Sequence, residues 1–439
     1  MSRAQDTIYA LSSGAPPAGI AVIRVSGARV SELLDSFCGK RPAPRNAALQ
    51  SIRDRNGDLI DQALVLYFPG PHSFTGEDCA EFHLHGGRAV VNAMLSALSA
   101  EGARHAEAGE FSRRAFDNGK LDLVEIEGLA DLISAETEMQ RRLAIEQSNG
   151  DLSELYQSWM RQLTRARALI EAELDFPEED DIPGAISDRV WAMVEEIAAD
   201  IEQHLAGHKT AEIIRDGFKV VIAGRPNAGK SSLMNALAKR DVAIVTEVPG
   251  TTRDLISVDL DLNGYLVRLV DTAGLRETED LVEVEGVRRA RMSLVDADMV
   301  LLLKDALDTS PYEEFAVKGE IVKVRTKVDL LRETSEGSDE IEISSVTGEG
   351  IDSLTKRISD TLSGNIIYSG QAMVARRRQL DLLVEAARLL KQCIDFEGSS
   401  IEIKSEYLRR ASHILGKLTG FVGTEDLLDV IFSEFCIGK

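Results

Sequence analysis

The sequence predicts an α/β domain inserted into an α-helical one, with a small α+β domain ahead of both. Three observations carry this. A glycine-rich loop ending in Lys-Ser stands between an apolar strand and a helix at 218–240. Helical periodicity fills the chain on both sides of the segment that holds this loop. Residues 1–118 instead alternate short apolar runs with turns.

Taken in order, 19–27 (GIAVIRVSG) and 63–71 (ALVLYFPGP) read as strands, and 29–37 (RVSELLDSF) and 89–100 (AVVNAMLSALSA) as helices. From Leu121 to about Lys209 the period turns helical, with one expected break in the acidic run DFPEEDDIPG at 175–184. This is the first part of a helical domain, 119–210; its second part, 370–439, holds VARRRQLDLLVEAARLLKQCI, SEYLRRASHILGKL and a final CIGK. Between them lies 217–364. Insertions are tolerated where chain ends lie close together at a surface, and the flanking helices suggest that arrangement.

The bulk numbers exclude several classes. A net charge of −23 disfavours a broad basic surface for nucleic acid. Hydrophobic residues at 44% with 28% charged describe an ordinary globular chain, not a disordered one. No apolar stretch approaches the ~18 residues of a membrane span, and 1–14 has no sustained apolar core for a signal peptide, so no membrane is expected. Cys38, Cys79, Cys393 and Cys436 lie far apart without a CxxC pair, which fits reduced thiols and a cytoplasmic protein. His83 and His85 would share one strand face, but no third ligand lies within metal-site spacing.

The chemistry sits in the middle segment. Gly224-Arg225-Pro226-Asn227-Ala228-Gly229-Lys230-Ser231 fits G-x-x-x-x-G-K-[ST], after the strand FKVVIA and before the helix SSLMNALAKR, which opens with Ser231 and Ser232. Glycines let the backbone wrap a phosphate and present its N–H groups at a helix N-terminus. Lys230 is placed for the β- and γ-phosphates and the Ser231 hydroxyl for Mg²⁺. Asp271-Thr272-Ala273-Gly274 follows the strand VRLV: Asp271 would organise the same Mg²⁺, and Gly274 leaves its N–H for the γ-phosphate. Thr326-Lys327-Val328-Asp329 follows EIVKVR and decides the base. The Asp329 carboxylate accepts from N1–H and the exocyclic amine of guanine, whereas adenine has no such donor pair. Thr326 stands where Asn usually opens this motif, which weakens one contact near the base. Ser344-Ser345-Val346 after EIEI matches the loop whose backbone touches the guanine oxygen. The loop at 246–252 (Thr246, Glu247, Val248, Pro249, Gly250, Thr251, Thr252) would supply a Thr hydroxyl to Mg²⁺ when the γ-phosphate is present. Leu275 occupies the place of the Gln that orients the attacking water in Ras-like enzymes. Either turnover is feeble or another residue, such as a carboxylate of 277–285, does that work. The segment between ADMVLLLKDA and EIVKVRTKVDL is also short for the helix that usually lies there.

Beyond these loops, the whole chain resembles the tRNA-modification GTPase family TrmE/MnmE. The resemblance rests on GRPNAGKSSLMNAL, IVTEVPGTTRD, DTAGLRETED, FTGEDCAEFHLHGG, NGKLDL and the terminal FCIGK. It implies a GTPase activated when two GTPase domains face each other, with K⁺ in place of an arginine finger. Asn227, the Thr251 hydroxyl and the carbonyls of Thr246 and Val248 would coordinate K⁺; Ser231 and Thr252 would hold Mg²⁺; Glu283 would polarise the attacking water. It further implies an N-terminal module that binds a 5-formyltetrahydrofolate-type folate through Arg24, Glu81, Lys120 and Lys439, with Cys436 as a candidate for chemistry. The implied partners are a second copy (a homodimer), an FAD-dependent subunit (MnmG/GidA) and tRNA, whose wobble uridine receives an aminomethyl-type group at carbon 5. The expected fold is thus an α/β P-loop GTPase domain inserted in an α-helical domain, preceded by an α+β folate-binding-like N-terminal domain.

Two other functions compete. A ribosome-assembly GTPase of the Era or EngA type shares GRPNxGKS and DTAG but carries a KH-like RNA domain where this chain has helices ending in CIGK. A non-catalytic GTP switch would show slow hydrolysis that K⁺ does not accelerate.

Overall fold

The computed structural model describes residues 6–175, 185–240, 242–244, 257–271, 294–312, 315, 317–331, 340–366, 373–395, 401–420, 431–432 and 438. The chain divides into two compact units, Met1–Ala130 with Leu415–Lys439, and Asp131–Ile414.

The first unit is built on a six-stranded sheet of order β3-β4-β5-β2-β1-β6. Its strands are β1 (Ile8–Leu11), β2 (Ile20–Ser26), β3 (Ala48–Arg53), β4 (Leu59–Phe68), β5 (Cys79–His85) and β6 (Arg104–His105). In β2 the apolar Ala21, Ile23 and Val25 alternate inward, the period of two that a half-buried strand demands. They meet Val30, Leu33, Leu34 and Phe37 of helix α1 (Val30–Cys38) and Val91, Met94 and Leu98 of α2 (Arg88–Ala100). The spacing i, i+3, i+4, i+7 puts the four α1 residues on one face. Helix α3 (Glu110–Asp117) follows, and α4 (Leu123–Ser134) runs across the boundary of the unit. The chain end returns here: the Ser12 hydroxyl donates to the Gly438 carbonyl at 2.8 Å. Gly438 has φ +103°, and a Cβ there would stand 2.2 Å from the Leu11 carbonyl oxygen, so only glycine fits this close approach.

The second unit joins helices to a second six-stranded sheet. Helices α5 (Glu138–Ser148), α6 (Asp151–Asp175), α7 (Ala185–Ala206) and α8 (His208–Asp216) precede the sheet. The helical stretch therefore breaks in more places than the one acidic run expected, and 176–184 of that run lies outside the described residues. The breaks have local causes: a Thr137/Gln140 capping box starts α5, and Gly150, at φ +88°, separates α5 from α6. Buried Leu152, Tyr156, Trp159, Leu163, Ala166 and Ile170 recur at alternating spacings of four and three along α6, as do Val190, Val194, Ile197 and Ile201 along α7. That pattern makes a continuous seam between long helices. Helix α11 (Arg377–Asp395), on the far side of the inserted sheet in sequence, packs on α7, and α12 (Ile401–Thr419) follows it.

The inserted sheet has order β12-β11-β10-β7-β9-β8, all parallel except β8. Its elements are β7 (Phe218–Gly224), α9 (Lys230–Ala238), β8 (Ser257–Leu262), β9 (Tyr265–Asp271), β10 (Met299–Asp305), β11 (Glu320–Thr326), β12 (Ile341–Ile343) and α10 (Ile351–Asn365). Strand β7 sits between β9 and β10, where the order of strands reverses. In open α/β sheets that point, at the carboxyl ends of the strands, is the ligand crevice. No helix lies between β10 and β11 among the described residues; Tyr312, Phe315 and Val317 lie against the sheet core instead.

Candidate nucleotide site

Three strand ends converge at this crevice. The loop after β7 is shaped by backbone sterics: Gly224 has φ +143°, and a Cβ on it would stand 2.3 Å from the Leu303 carbonyl oxygen of β10. Asn227 (φ +66°) and Gly229 (φ +90°) are left-handed, and Gly229 is the residue from which α9 starts. The amides of that first turn are the donors an anion requires. Lys230 folds back over the loop, its Nζ donating to the carbonyls of Gly224 at 2.7 Å and Arg225 at 3.0 Å. Ser232 is exposed on the first turn of α9, and Ala228 is buried.

At the end of β9, Asp271 is buried, and its Oδ2 accepts from the Ser231 hydroxyl at 3.3 Å. A hydroxyl and a carboxylate side by side fit Mg²⁺, which takes few protein ligands and fills its shell with phosphate and water oxygens.

At the end of β11, Thr326 makes contacts that its motif position does not announce. Its side chain is buried, and its hydroxyl donates to the Ala228 carbonyl at 2.8 Å, with the Lys304 carbonyl at 3.3 Å. Thr326 therefore ties the base-recognition loop to the phosphate loop. Lys327, at φ +60°, pairs with Asp305 at 2.6 Å, and Asp329 Oδ1 accepts from the Ser344 hydroxyl at 2.6 Å. The same Ser344 oxygen accepts from the amides of Val346 at 3.3 Å and Thr347 at 3.1 Å, so the last loop is wound around one buried hydroxyl. Val346 is exposed, as is Asp329, and Ser345 is half-buried beside them. Each carboxylate oxygen has two lone pairs, so the bond from Ser344 leaves Asp329 acceptor capacity for a purine edge. Asp305 carries no motif signal of its own and emerges only from the geometry; Ser344 belongs to a sequence motif, but its hydroxyl bond to Asp329 is seen only in the fold.

Beside the phosphate loop lies a cavity of about 320 Å³ between Pro226, Leu303 and Tyr312. The Tyr312 ring is flanked by the ammonium groups of Lys304 at 4.9 Å and Lys323 at 5.4 Å. Thr246, Glu247, Val248, Pro249, Gly250, Thr251, Thr252, Thr272, Ala273, Gly274, Glu283, Cys436 and Lys439 lie outside the described residues.

In the first unit, Arg24 and Glu81 are brought together across β2 and β5, with the guanidinium donating at 2.9 and 3.1 Å. Arg24 lies over the Phe74 ring at 5.0 Å and near Phe111 at 5.9 Å, contacts no sequence pattern announced. His83 pairs with Glu81 at 3.2 Å and His85 with Asp61 at 2.8 Å, so the two imidazoles are spoken for separately. Among the described residues no group of His, Cys, Asp and Glu is arranged to hold a metal. Lys120 is exposed beside Gly76, in the loop that carries Phe74.

A parallel sheet with one antiparallel edge, a lysine-bearing glycine loop after β7 and a carboxylate just after β11 define a P-loop GTPase. The profile of the MnmE helical domain matches residues 123–436, and that of the GTP-binding protein TrmE N-terminus matches 7–120. The chain belongs to the MnmE family of tRNA modification GTPases. It is similar to the tRNA modification GTPase MnmE of Sinorhizobium medicae, 56% identical over 443 residues covering 99% of each chain. It is 55% identical to that of Rhizobium johnstonii over 440 residues, covering 100% of both. Among solved structures, the G domain of the T. maritima FeoB iron transporter aligns with 33% of this chain and 97% of that one, at 26% identity and a TM-score of 0.24, a likeness that carries no weight here. No helix of the described residues is long and apolar enough to cross a membrane.

Proposed function

We propose that this chain hydrolyses GTP to drive modification of tRNA at carbon 5 of the wobble uridine, in a complex with an FAD-dependent subunit. The observation that carries the nucleotide half is the convergence of Lys230, Ser231, Asp271 and Asp329 on one crevice, with Thr326 tying two of its loops together. The tRNA half is supported by family membership over the whole chain.

Ser231, with Thr252, would hold Mg²⁺; Asn227, Thr251 and the carbonyls of Thr246 and Val248 would hold K⁺. These cations supply positive charge at the phosphates without a basic side chain. Lys230 orients the phosphates, Asp329 selects guanine, and Glu283 positions the attacking water in place of the Gln that Leu275 excludes. We place a 5-formyltetrahydrofolate-type folate at Arg24, Glu81, Lys120 and Lys439, with Cys436 near it in the terminal segment. The salt bridge between two strands, flanked by aromatic rings, supports that reading, because a pterin offers both a hydrogen-bonding edge and a π face. The open face of the N-terminal sheet exposes Ile20, Leu49 and Leu64, and Leu49 pairs with Leu64 across strands. Exposed apolar side chains on one sheet face, with Ile20 set apart from the Leu49/Leu64 pair by β5, support a homodimer.

GTP hydrolysis measured in K⁺ and in Na⁺ tests the catalytic part. Faster turnover in K⁺, abolished by Glu283→Ala, is expected; equal rates in both salts would remove K⁺ from the reaction. For the folate, equilibrium binding of formyl-tetrahydrofolate to the full chain should weaken in Arg24→Ala, and unchanged binding would move the site elsewhere.

A further inference from the structure

The junction between the inserted sheet and the helices is gripped by one carboxylate. Asp131, in α4, accepts from Arg215 Nε at 3.2 Å on both oxygens, and from Arg376 Nη2 at 2.7 Å and Nε at 3.3 Å. Arg215 lies in the last turn of α8, just before the chain enters β7. Arg376 lies just before α11, where the chain has left the inserted domain. The two chain segments that join the domain to the rest thus meet on a single side chain. All three groups are largely buried, with side-chain exposures of 14%, 29% and 16% for Asp131, Arg215 and Arg376.

The neighbouring contacts point the same way. Gln140 Nε2 of α5 donates to the Arg215 carbonyl at 2.9 Å, and Gln147 Nε2 donates to the Met373 carbonyl at 3.2 Å. A ring nitrogen of His208 lies 2.8 Å from the Val374 carbonyl. The amide of Met139 donates to the Gly264 carbonyl, at the turn between β8 and β9, at 2.9 Å. Met139 and Leu143 of α5 also belong to the core of the inserted domain. Strand β9 therefore has α5 at one end and Asp271, beside Ser231, at the other.

We propose that Asp131 is a positioning residue that holds the incoming and outgoing chains of the GTPase domain against α5, so that displacement of β9 by nucleotide reaches the helices. Two unbraced linkers would let the domain pivot, and a nucleotide-linked shift would then dissipate at the junction. The bidentate contact of Arg376 on this carboxylate fixes orientation as well as distance, and Arg215 Nε shares the same two oxygens. This rests on the GTPase reading above, and its loss uncouples the chemistry from hydrolysis without removing hydrolysis.

Hydrogen exchange of the full-length chain, with and without a non-hydrolysable GTP analogue, tests it. In the wild type the analogue should slow exchange in 224–238 and also change it in 137–147. Asp131→Ala should keep the first response and lose the second, and Asp131→Glu should restore it. Arg376→Ala, at the other side of the pair, is the second variant and should behave like Asp131→Ala. In the full reaction, Asp131→Ala should hydrolyse GTP within about two-fold of wild type while tRNA modification falls by about ten-fold or more, the size of an ordinary coupling energy. A response in 137–147 that survives in both alanine variants, or one absent from the wild type, overturns the proposal. So does a fall of hydrolysis and modification by the same factor. Failure of the analogue to protect 224–238 in the wild type sinks the GTPase reading instead.

Discussion

Asp329 is the residue whose chemistry is most narrowly specified. Its carboxylate is braced by Ser344 at 2.6 Å and offers acceptors only. Asp329→Asn turns one acceptor into a donor, which faces the N1–H and amine donors of guanine but suits the 2-oxo group of xanthine. We expect GTP affinity to fall by about 100-fold or more and xanthosine triphosphate to bind better than GTP, on the scale of a site left with unpaired polar groups. Competition binding with both nucleotides reads this directly; an unchanged preference for GTP would mean that Asp329 does not touch the base. Thr326 shows the complementary lesson. Where the motif usually has Asn, the smaller side chain turns its hydroxyl to the Ala228 carbonyl of the glycine loop.

At the scale of elements, the close approach of β7 to β10 decides where the phosphate loop leaves the sheet. Gly224 combines a φ of +143° with a hypothetical Cβ 2.3 Å from a backbone oxygen that cannot rotate away. Gly224→Ala should therefore cost about 2–4 kcal/mol, from strain at a glycine-only conformation together with displacement of β10. Chemical denaturation of the two proteins measures it, and a loss under about 0.5 kcal/mol would show that β10 yields easily. Among the described residues no helix lies between β10 and β11, and this has a visible consequence too. Where a helix would lie, Tyr312 sits between Lys304 and Lys323, and the cavity beside the phosphate loop opens next to it.

For the whole molecule, acid stability is set partly by the helical part of the second unit. His204 of α7 packs between Tyr156 and Trp159 of α6, with ring centroids 5.8 and 5.7 Å away. Burial penalises the imidazolium and lowers its pKa from an ordinary 6.5 to about 4. Between those values the unfolded chain binds a proton that the folded chain does not, so stability falls as pH drops from about 6.5 towards about 4. Above that window His204 is neutral in both states and contributes no slope; below it both states are protonated and the loss levels off. The full effect is about 3 kcal/mol at most, from the size of the shift. Melting temperatures of wild type and His204→Phe, followed from pH 7.5 to 4.5, should diverge in slope only below about 6.5. Parallel curves would mean that the imidazole is protonated in place.

Much of the GTPase domain was legible from residues alone, because its signals are local. A glycine loop, the strand before it and the helix after it occupy 218–240, and the hydrophobic period announces each element. The same locality explains the strands around Asp271, Asp329 and Ser344, whose positions follow from where apolar runs end. The family resemblance extended that reading to Arg24 and Glu81 without saying that they pair. What the tertiary structure alone decided are contacts between distant positions: Arg24 with Glu81, Thr326 with Ala228, Ser12 with Gly438, and Asp131 with both Arg215 and Arg376. Periodicity reports which face of an element is buried but not which element covers it. A charged residue near a helix end looks the same whether it meets solvent or closes a junction 245 residues away. The chain's own residues thus determined the nucleotide and the fold class, and only packing determined how the inserted domain is held.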